Sequence, residues 1–187
     1  LMLAICAVVA AAVAVIGSVS ISADQNRLLP IYCVETEKKQ IAISFDAAWG
    51  NDDTEQLISI LKEYDVPATF FVVGAWVDKY PESVKALSDA GHRIENHSNT
   101  HPHMPQLSKE QIINELESCN NKIKAVTGRC PKLLRVPYVD YDNAVLETTE
   151  SIGMYTIQWD VDSLDWKNLS ATEIALRVVN GVKSGSI

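Results

Sequence analysis

The sequence predicts an α/β fold built around a parallel sheet, either open or closed into a barrel. Three observations support this prediction. Short apolar runs alternate with helical segments from residue 41 onward, and such alternation produces βαβ units. The run at residues 41–45 is short and apolar and is followed by Asp46, as expected of a buried parallel strand. Polar side chains follow the runs, at the edge where parallel sheets carry their functional sites.

Five short segments are predicted to be the strands. They are residues 41–45, 68–73, 92–95, 132–134 and 154–159. Polar capping residues, proline in the first turn and glycine beyond the last turn mark the helices. The predicted helices begin at Asp53, Pro81, Ser108, Asn143 and Ala171, and they end near Val66, Gly91, Val126, Ile152 and Val182.

Residues 1–23 carry no ionisable side chain and are dominated by Ala, Val, Ile and Leu. A membrane-spanning helix needs about 20 apolar residues, so this run is predicted to be a membrane anchor or an export signal. Ser20, Ser22 and Ala23 are small enough for a signal peptidase, which leaves both alternatives open. Residues 24–40 are predicted to form a linker, and residues 41–187 one domain.

Both ends of the sequence suggest a longer gene product. No basic segment precedes the apolar run, which begins at Leu1. Residues 184–187 fall where another strand is expected after the final helix. The domain is therefore predicted to lack its last strand in this sequence.

The composition limits the possible partners. A formal net charge of −8 without a basic stripe disfavours nucleic acid and other polyanions, so a neutral substrate is expected. Cys33, Cys119 and Cys130 show no C-x-x-C spacing, which permits at most one intramolecular disulfide among them. We expect a monomer.

Chemically distinctive side chains follow the predicted strands and should meet on one rim. They are Asp46, His97, His101, Arg135, Asp162 and Asp165. Two histidines spaced by four residues bind zinc and similar ions, and a carboxylate commonly completes such a site. Taken alone, such a pair is more often found on the surface or at a helix cap. The clustering on one rim favours a metal site.

Arg135 and three aromatic residues belong to the same rim. Burying Arg135 unpaired would be costly, so a carboxylate partner such as Asp46 is expected, in a catalytic or a purely structural pair. Tyr138, Trp159 and Trp166 offer flat faces of the kind that pack against sugar rings, although aromatic residues beside strands are also common in cores.

Four motifs together resemble the polysaccharide deacetylase, or NodB-homology, family of carbohydrate esterases. They are Ser44-Phe45-Asp46, His97-Ser98-Asn99-Thr100-His101, Arg135-Val136-Pro137-Tyr138 and Asp162-Ser163-Leu164-Asp165-Trp166. Their order and spacing match, and the sequence looks most like the PdaB-type sporulation branch. The resemblance implies a distorted parallel (β/α) barrel that deacetylates N-acetylated sugars of a peptidoglycan-type polymer. It also implies a protein that is membrane-anchored or secreted and faces the bacterial cell wall.

The resemblance also implies a role for each motif. His97 and His101 would bind a divalent metal, expected to be zinc, and Asp46 would deprotonate the attacking water. Arg135 would orient Asp46, and Asp165 would orient the family's acid histidine. The backbone amide of Tyr138 would hold the oxyanion, and Trp166 would form a wall of the acetyl pocket.

The sequence departs from the family pattern in three places. Ala47 stands where the family has a metal-binding Asp; Asp52 or Asp53 could replace that ligand, or could cap the next helix. Val139 replaces a glycine, and the final Leu-x-His motif is absent from this sequence. The competing hypothesis is therefore a non-catalytic wall-binding or sporulation scaffold with a degraded metal site.

Overall fold

The structure is a computed structural model that describes residues 27–187. The predicted anchor or signal at residues 1–23 lies outside the described residues. Within residues 27–187, no helix is both long enough and apolar enough to cross a membrane.

A parallel sheet of five strands organises the described residues, and neighbouring strands in the sheet are also consecutive in the chain. The strands are β1 (Ser44–Ala47), β2 (Thr69–Val72), β3 (Arg93–Asn96), β4 (Leu133–Leu134) and β5 (Tyr155–Thr156). In their register, Asp46 lies opposite Phe71, and Phe71 lies opposite Glu95. The predicted α/β class with a parallel sheet is confirmed.

Helices connect the strands. They are α1 (Thr54–Glu63), α2 (Gly74–Lys79), α3 (Pro81–Asp89), α4 (Lys109–Thr127), α5 (Asn143–Ser151) and α6 (Ala171–Gly181). Short 3₁₀ turns occupy Met104–Gln106, Pro137–Val139 and Asp165–Lys167. The predicted helices are present within a few residues at each end. The sequence analysis missed α2, because six residues are too few to show a helical period.

Two predicted strands differ from the structure. The first was expected at residues 41–45, but β1 begins at Ser44 because pairing with β2 begins at Ser44 and Thr69. Residues 154–159 were predicted as the fifth strand, yet only Tyr155–Thr156 form a ladder with β4. The next residues bond to a different segment, since Ile157 pairs with Ile31 in an isolated parallel bridge.

The gap between β5 and β1 is closed by irregular segments. Ile31 donates to Thr156 and accepts from Gln158, and Cys33 forms an antiparallel bridge with Ser186. Ser186 in turn accepts a hydrogen bond from Ala42, just before β1. Backbone hydrogen bonds thus run around the whole sheet, as in a distorted barrel. Residues 31–33 belong to the segment predicted to be a linker.

Gly185 makes this closure possible. Its φ of +85° lies in the left-handed region, and a Cβ atom at this position would collide with the carbonyl oxygen of Val34. Only glycine fits both constraints without strain.

Two apolar clusters cover the outer face of the sheet. The first packs α1, α2 and α3 against the first three strands around Phe70, Val72 and Trp76. The second packs α4 and α5 around Leu116, Leu134 and Val145. Side chains of the opposite parity in the strands, such as Asp46 and Arg135, point to the inner face. The core therefore lies outside the sheet, and the inner face is left for polar groups.

Glu95 joins β3 to the short strand β4. It is only 3% exposed, and its Oε2 accepts hydrogen bonds from the backbone amides of Lys132 and Leu133, each at 2.8 Å. Its Oε1 accepts from Arg93 at 2.7 Å. Since the regular pairing of β3 with β4 is limited to Asn96 and Leu134, this carboxylate supplies much of the connection.

Glu95→Ala is expected to lower the free energy of unfolding by about 3 kcal/mol, because it removes a buried carboxylate and leaves two part-buried backbone amides without their acceptor. Urea denaturation followed by circular dichroism measures the change. Glu117→Ala, on the exposed face of α4, is the control and should stay within about 0.5 kcal/mol of the unaltered chain. Equal stability of the two variants would contradict this role for Glu95.

Cys119 lies fully buried on α4, and its thiol donates to the carbonyl oxygen of Val72 at 3.4 Å. Burial raises the pKa of this thiol to about 12. The nucleophilic thiolate is therefore scarce at pH 8. Cys33 and Cys130 are exposed, and the three cysteines among residues 27–187 form no disulfide with one another.

Iodoacetamide at pH 8 is expected to label Cys130 in the folded protein and to leave Cys119 unlabelled until denaturant is added. Peptide mass spectrometry before and after unfolding measures both sites. Labelling of Cys119 at the rate of Cys130 under native conditions would show that the α4 contact with the sheet is open.

Candidate active site

Asp46, Arg135 and His97 form one hydrogen-bonded group on the inner face. Arg135 Nη1 donates to Asp46 Oδ1 at 2.9 Å, which is the pairing expected from the sequence. His97 Nδ1 donates to the carbonyl oxygen of Arg135 at 2.7 Å. These residues come from the carboxyl ends of β1, β4 and β3, so the parallel sheet brings together groups that lie far apart in the chain.

The charge of Arg135 is held in an almost dry environment. The residue is 2% exposed, and its Nε and Nη2 have no hydrogen-bond partner among the described residues. The rings of Phe71 and Trp159 lie 4.1 and 5.1 Å from its guanidinium carbon. Their π faces attract the cation. Burial lowers the pKa of Arg135 while Asp46 raises it, and an arginine remains charged in either case.

His97 is a neutral imidazole with a defined tautomer. Burial lowers its pKa, although the charge of Asp46 acts in the opposite direction. Because Nδ1 carries the proton that is donated to Arg135, the lone pair is on Nε2. This atom lies 3.9 Å from Asp46 Oδ2. Two hydrogen-bond acceptors thus face each other, so the contact is not an ion pair.

The loop from His97 to His101 is held from α4. Glu115 accepts hydrogen bonds from the backbone amides of Asn99 and Thr100 at 2.9 and 2.8 Å, and from the Thr100 hydroxyl at 2.9 Å. The loop also contains two residues with positive φ, Ser98 at 64° and His101 at 62°. Non-glycine residues adopt this conformation only when their surroundings fix it.

Further bonds inside the loop fix the positions of the two histidines. Asn96 Oδ1 accepts from the Ser98 amide at 2.7 Å, and Ser98 Oγ accepts from the His101 amide at 2.9 Å. The imidazole rings of His97 and His101 consequently lie 4.9 Å apart, centroid to centroid.

His101 lies between two exposed aromatic residues. Its ring is 5.2 Å from Trp49 and 4.5 Å from Tyr138, in edge contacts. Burial and the nearby His97 lower its pKa to about 4, so this imidazole is also neutral near pH 7. Its Nδ1 is buried without a hydrogen-bond partner among the described residues. Neutral imidazoles with free lone pairs are the form in which histidine binds metal ions.

The third ligand position of the family pattern has no donor in the described structure. Ala47 packs against the first apolar cluster, and Asp52 and Asp53 are exposed. Asp53 occupies the N-cap position of α1, although its side chain makes no capping hydrogen bond. Among residues 27–187, no group of three or more His, Cys, Asp or Glu side chains is arranged to hold a metal ion.

The Tyr138 turn is strained. Tyr138 and Val139 have φ values of 59° and 56°, and a β-branched residue is especially unfavourable there. The sequence analysis identified Val139 as the replacement of a glycine in the family pattern. The structure has Val139 in the conformation that suits the family's glycine, at a cost of about 1–3 kcal/mol.

Asp165 and Trp166 are not joined to the Asp46 group. Asp165 Oδ1 accepts from Ser163 Oγ and from the Trp166 amide, each at 3.1 Å, so it caps its own turn. Trp166 is 70% exposed, with Lys167 over its ring. In the described part of the chain, neither makes a hydrogen bond, ion pair or ring contact with Asp46, His97 or His101. Their predicted roles remain predictions.

Three residues near the site were not singled out by the sequence analysis. Glu115 lies inside a helix, Trp49 has no charge, and His103 looks like a third histidine of a polar loop. His103 Nδ1 bonds to Asp140 Oδ2 at 2.8 Å, and its ring stacks on Tyr138 at 4.3 Å. The only feature of the sequence that could have pointed to one of these three residues was the position of His103, two residues after His101.

Comparisons with known proteins agree with this geometry. The sequence model of the polysaccharide deacetylase family matches residues 34–157. The peptidoglycan-N-acetylmuramic acid deacetylase PdaA of Bacillus subtilis is 37% identical over 137 residues, which cover 73% of this chain and 52% of PdaA. The chain spans about half the length of the curated relatives it matches.

Solved structures extend the likeness to the fold. A wild-type CE4 family pseudoenzyme from Bacillus anthracis matches with a TM-score of 0.82 and 34% identity, covering 85% of this chain and 57% of the other. A mutant of that protein, described as having restored enzymatic activity, matches with a TM-score of 0.82 and 35% identity, covering 85% and 58%. These neighbours support the predicted distorted barrel.

Glu115→Gln is expected to loosen the 97–101 loop, because a neutral amide oxygen is a weaker acceptor than the charged carboxylate oxygen, Oε2, that the backbone amides of Asn99 and Thr100 share. The backbone amides of Asn99 and Thr100 should exchange hydrogen about tenfold faster or more, which corresponds to about 1.4 kcal/mol of lost protection. Hydrogen exchange with mass spectrometry measures this. Glu110→Gln, exposed on the first turn of α4, is the control. Unchanged exchange in Glu115→Gln would contradict the role assigned to the carboxylate.

Proposed function

Because this chain belongs to the polysaccharide deacetylase family, we propose that it removes acetyl groups from N-acetylated sugars of a peptidoglycan-type cell-wall polymer. The observation that carries the proposal is the group of Asp46, Arg135 and His97. An ionised carboxylate beside a neutral imidazole, on the rim of a parallel sheet, is suited to activating water. Relatives named as peptidoglycan deacetylases support the substrate class.

Asp46 acts as the general base. Arg135 fixes Oδ1 at 2.9 Å, which leaves Oδ2 to take a proton from water. The oxygen of that water attacks the acetyl carbonyl carbon, the carbon–nitrogen bond breaks, and the amine leaves with a proton as acetate forms. The Tyr138 backbone amide stabilises the developing oxyanion, a contribution that is usually large. By resemblance to the family, Asp165 orients the acid histidine and Trp166 forms a wall of the acetyl pocket.

A divalent metal ion, expected to be zinc, fits two of the donors at the site. His97 and His101 would hold it through lone pairs on neutral imidazoles, and the buried, unpartnered Nδ1 of His101 supports this assignment. Such an ion supplies Lewis acidity and lowers the pKa of bound water. With Ala47 at the third position, the protein contributes two firm ligands, so weak metal affinity is expected.

The cellular setting belongs to the same proposal. An anchor or signal at residues 1–23 would expose the domain to the wall polymer. From the resemblance to the PdaB-type branch, we propose that the reaction takes place during sporulation.

A second candidate is a non-catalytic wall-binding or sporulation scaffold. Ala47 favours it, because a methyl group cannot bind a metal. The likeness to a structure described as a pseudoenzyme favours it as well. In this alternative, Asp46 and Arg135 serve only as a structural ion pair.

The unaltered chain is expected to bind zinc through its two histidines and to release acetate from peptidoglycan, and His97→Ala should abolish both. Titration of zinc into the protein by calorimetry, which detects weak binding, measures the affinity and stoichiometry of the metal, and an enzymatic acetate assay with zinc present measures turnover. Ala47→Asp, which restores the third ligand, should raise metal affinity and turnover. Glu117→Ala is the control, because it lies on the exposed face of α4.

The two candidates predict different results. Stoichiometric zinc and acetate release that depend on His97 would support the deacetylase. Binding to peptidoglycan without zinc or acetate release, with both appearing only in Ala47→Asp, would overturn the deacetylase and establish the scaffold.

A further inference from the structure

We propose that a row of four rings, Trp49, His101, Tyr138 and His103, binds consecutive sugar units of a neutral N-acetylhexosamine chain on both sides of the reacting unit. This inference rests on the proposed substrate class. It adds Trp49 and His103 as binding residues, and it predicts a preference for oligomers over single sugars.

The four rings are in contact one after another. Successive centroids lie 5.2, 4.5 and 4.3 Å apart, from Trp49 to His101, to Tyr138 and to His103. These contacts join the four rings into one continuous group. His101, a proposed metal ligand, contacts both Trp49 and Tyr138, so two exposed aromatic rings lie next to the proposed reaction centre.

Trp49 is displayed to solvent at a fixed position. Its side chain is 79% exposed, although tryptophan is usually largely buried. The next residue, Gly50, adopts a φ of 65°, and its carbonyl oxygen accepts a hydrogen bond from the indole of Trp76 at 2.5 Å. Trp76 is itself part of the buried core. The core thus holds the turn that presents the exposed indole beside His101.

The other end of the row is held by a polar contact. His103 stacks on Tyr138 with an interplanar angle of 14°, and Asp140 orients the imidazole at 2.8 Å. Tyr138 is 56% exposed. Both ends of the row therefore offer rings to solvent, each fixed by a neighbour.

These properties match an uncharged sugar polymer. Aromatic rings pack against the apolar faces of pyranose rings, and a ring that is already ordered loses little entropy on binding. The net charge of −8 and the carboxylate of Asp140 oppose a polyanionic chain. The ligand expected on the row of rings is therefore a neutral N-acetylglucosamine oligomer.

Titration calorimetry of the full chain in detergent solution, with N-acetylglucosamine and its tetramer as probes, tests the inference. The tetramer should bind at least about tenfold more tightly than the monomer. Trp49→Ala should weaken tetramer binding about fivefold to tenfold and leave monomer binding unchanged, since one stacking contact contributes about 1 kcal/mol. Trp49→Phe should retain most of the affinity. Tyr64→Ala is the control, because Tyr64 is 69% exposed at the far end of α1.

Each outcome separates this inference from the proposed function. Loss of tetramer affinity in Trp49→Ala, with the fold intact by circular dichroism, supports the row whether or not acetate is released. Tetramer binding that is equal in Trp49→Ala and in the unaltered chain overturns the row, and acetate release from peptidoglycan would then still support the deacetylase. Equal affinity for monomer and tetramer in the unaltered chain also overturns it.

Discussion

The structure depends on the buried charge of Arg135. A guanidinium at 2% exposure is tolerated only if its surroundings replace water, and each contact that does so comes from a different part of the sheet. Asp46 on β1 neutralises it, Phe71 on β2 lies over it, and Trp159 follows β5. Removing Asp46 would leave an uncompensated buried charge, which costs several kcal/mol. The same ion pair therefore holds the barrel interior together and fixes the carboxylate of Asp46 that we propose as the general base.

Because Arg135 stabilises the sheet and also shapes the site, an intact site geometry is expected in an active chain and in an inactive one. The carbonyl of Arg135 accepts the proton of His97 Nδ1, so the tautomer that leaves Nε2 free follows from the same residue that stabilises the sheet. Glu115 and Asn96 hold the rest of the histidine loop through backbone amides. A chain that had lost its metal would keep all of these contacts, because none of them requires an ion. The residue that would distinguish a metal-binding chain from one that had lost its metal is Ala47, which makes none of these contacts.

The sequence was informative where a pattern repeats or where a residue has unusual chemistry. Alternating apolar runs predicted the parallel sheet, and the polar residues after them predicted that Asp46, His97 and Arg135 meet. The closure through Ile31 and Ser186 was not predictable, because isolated bridges leave no period in the sequence. Glu115 and Trp49 were missed for a related reason. Their importance comes from what the fold places beside them, and a glutamate in a helix or a lone tryptophan in a loop carries no such information.

Ala47 links metal binding to stability through the direction of its side chain. Successive residues of a strand face opposite sides, so Asp46 points to the inner face while Ala47 packs against the outer apolar cluster. A methyl group suits that environment. An aspartate there would either lose the hydration of its charge in the apolar cluster or turn toward the histidines. A bound cation would stabilise the orientation toward the histidines. Ala47 therefore favours the fold without metal, whereas Asp at this position would make stability depend on metal concentration. If the proposed metal site forms, the residue that weakens it is also the one that frees the fold from needing an ion.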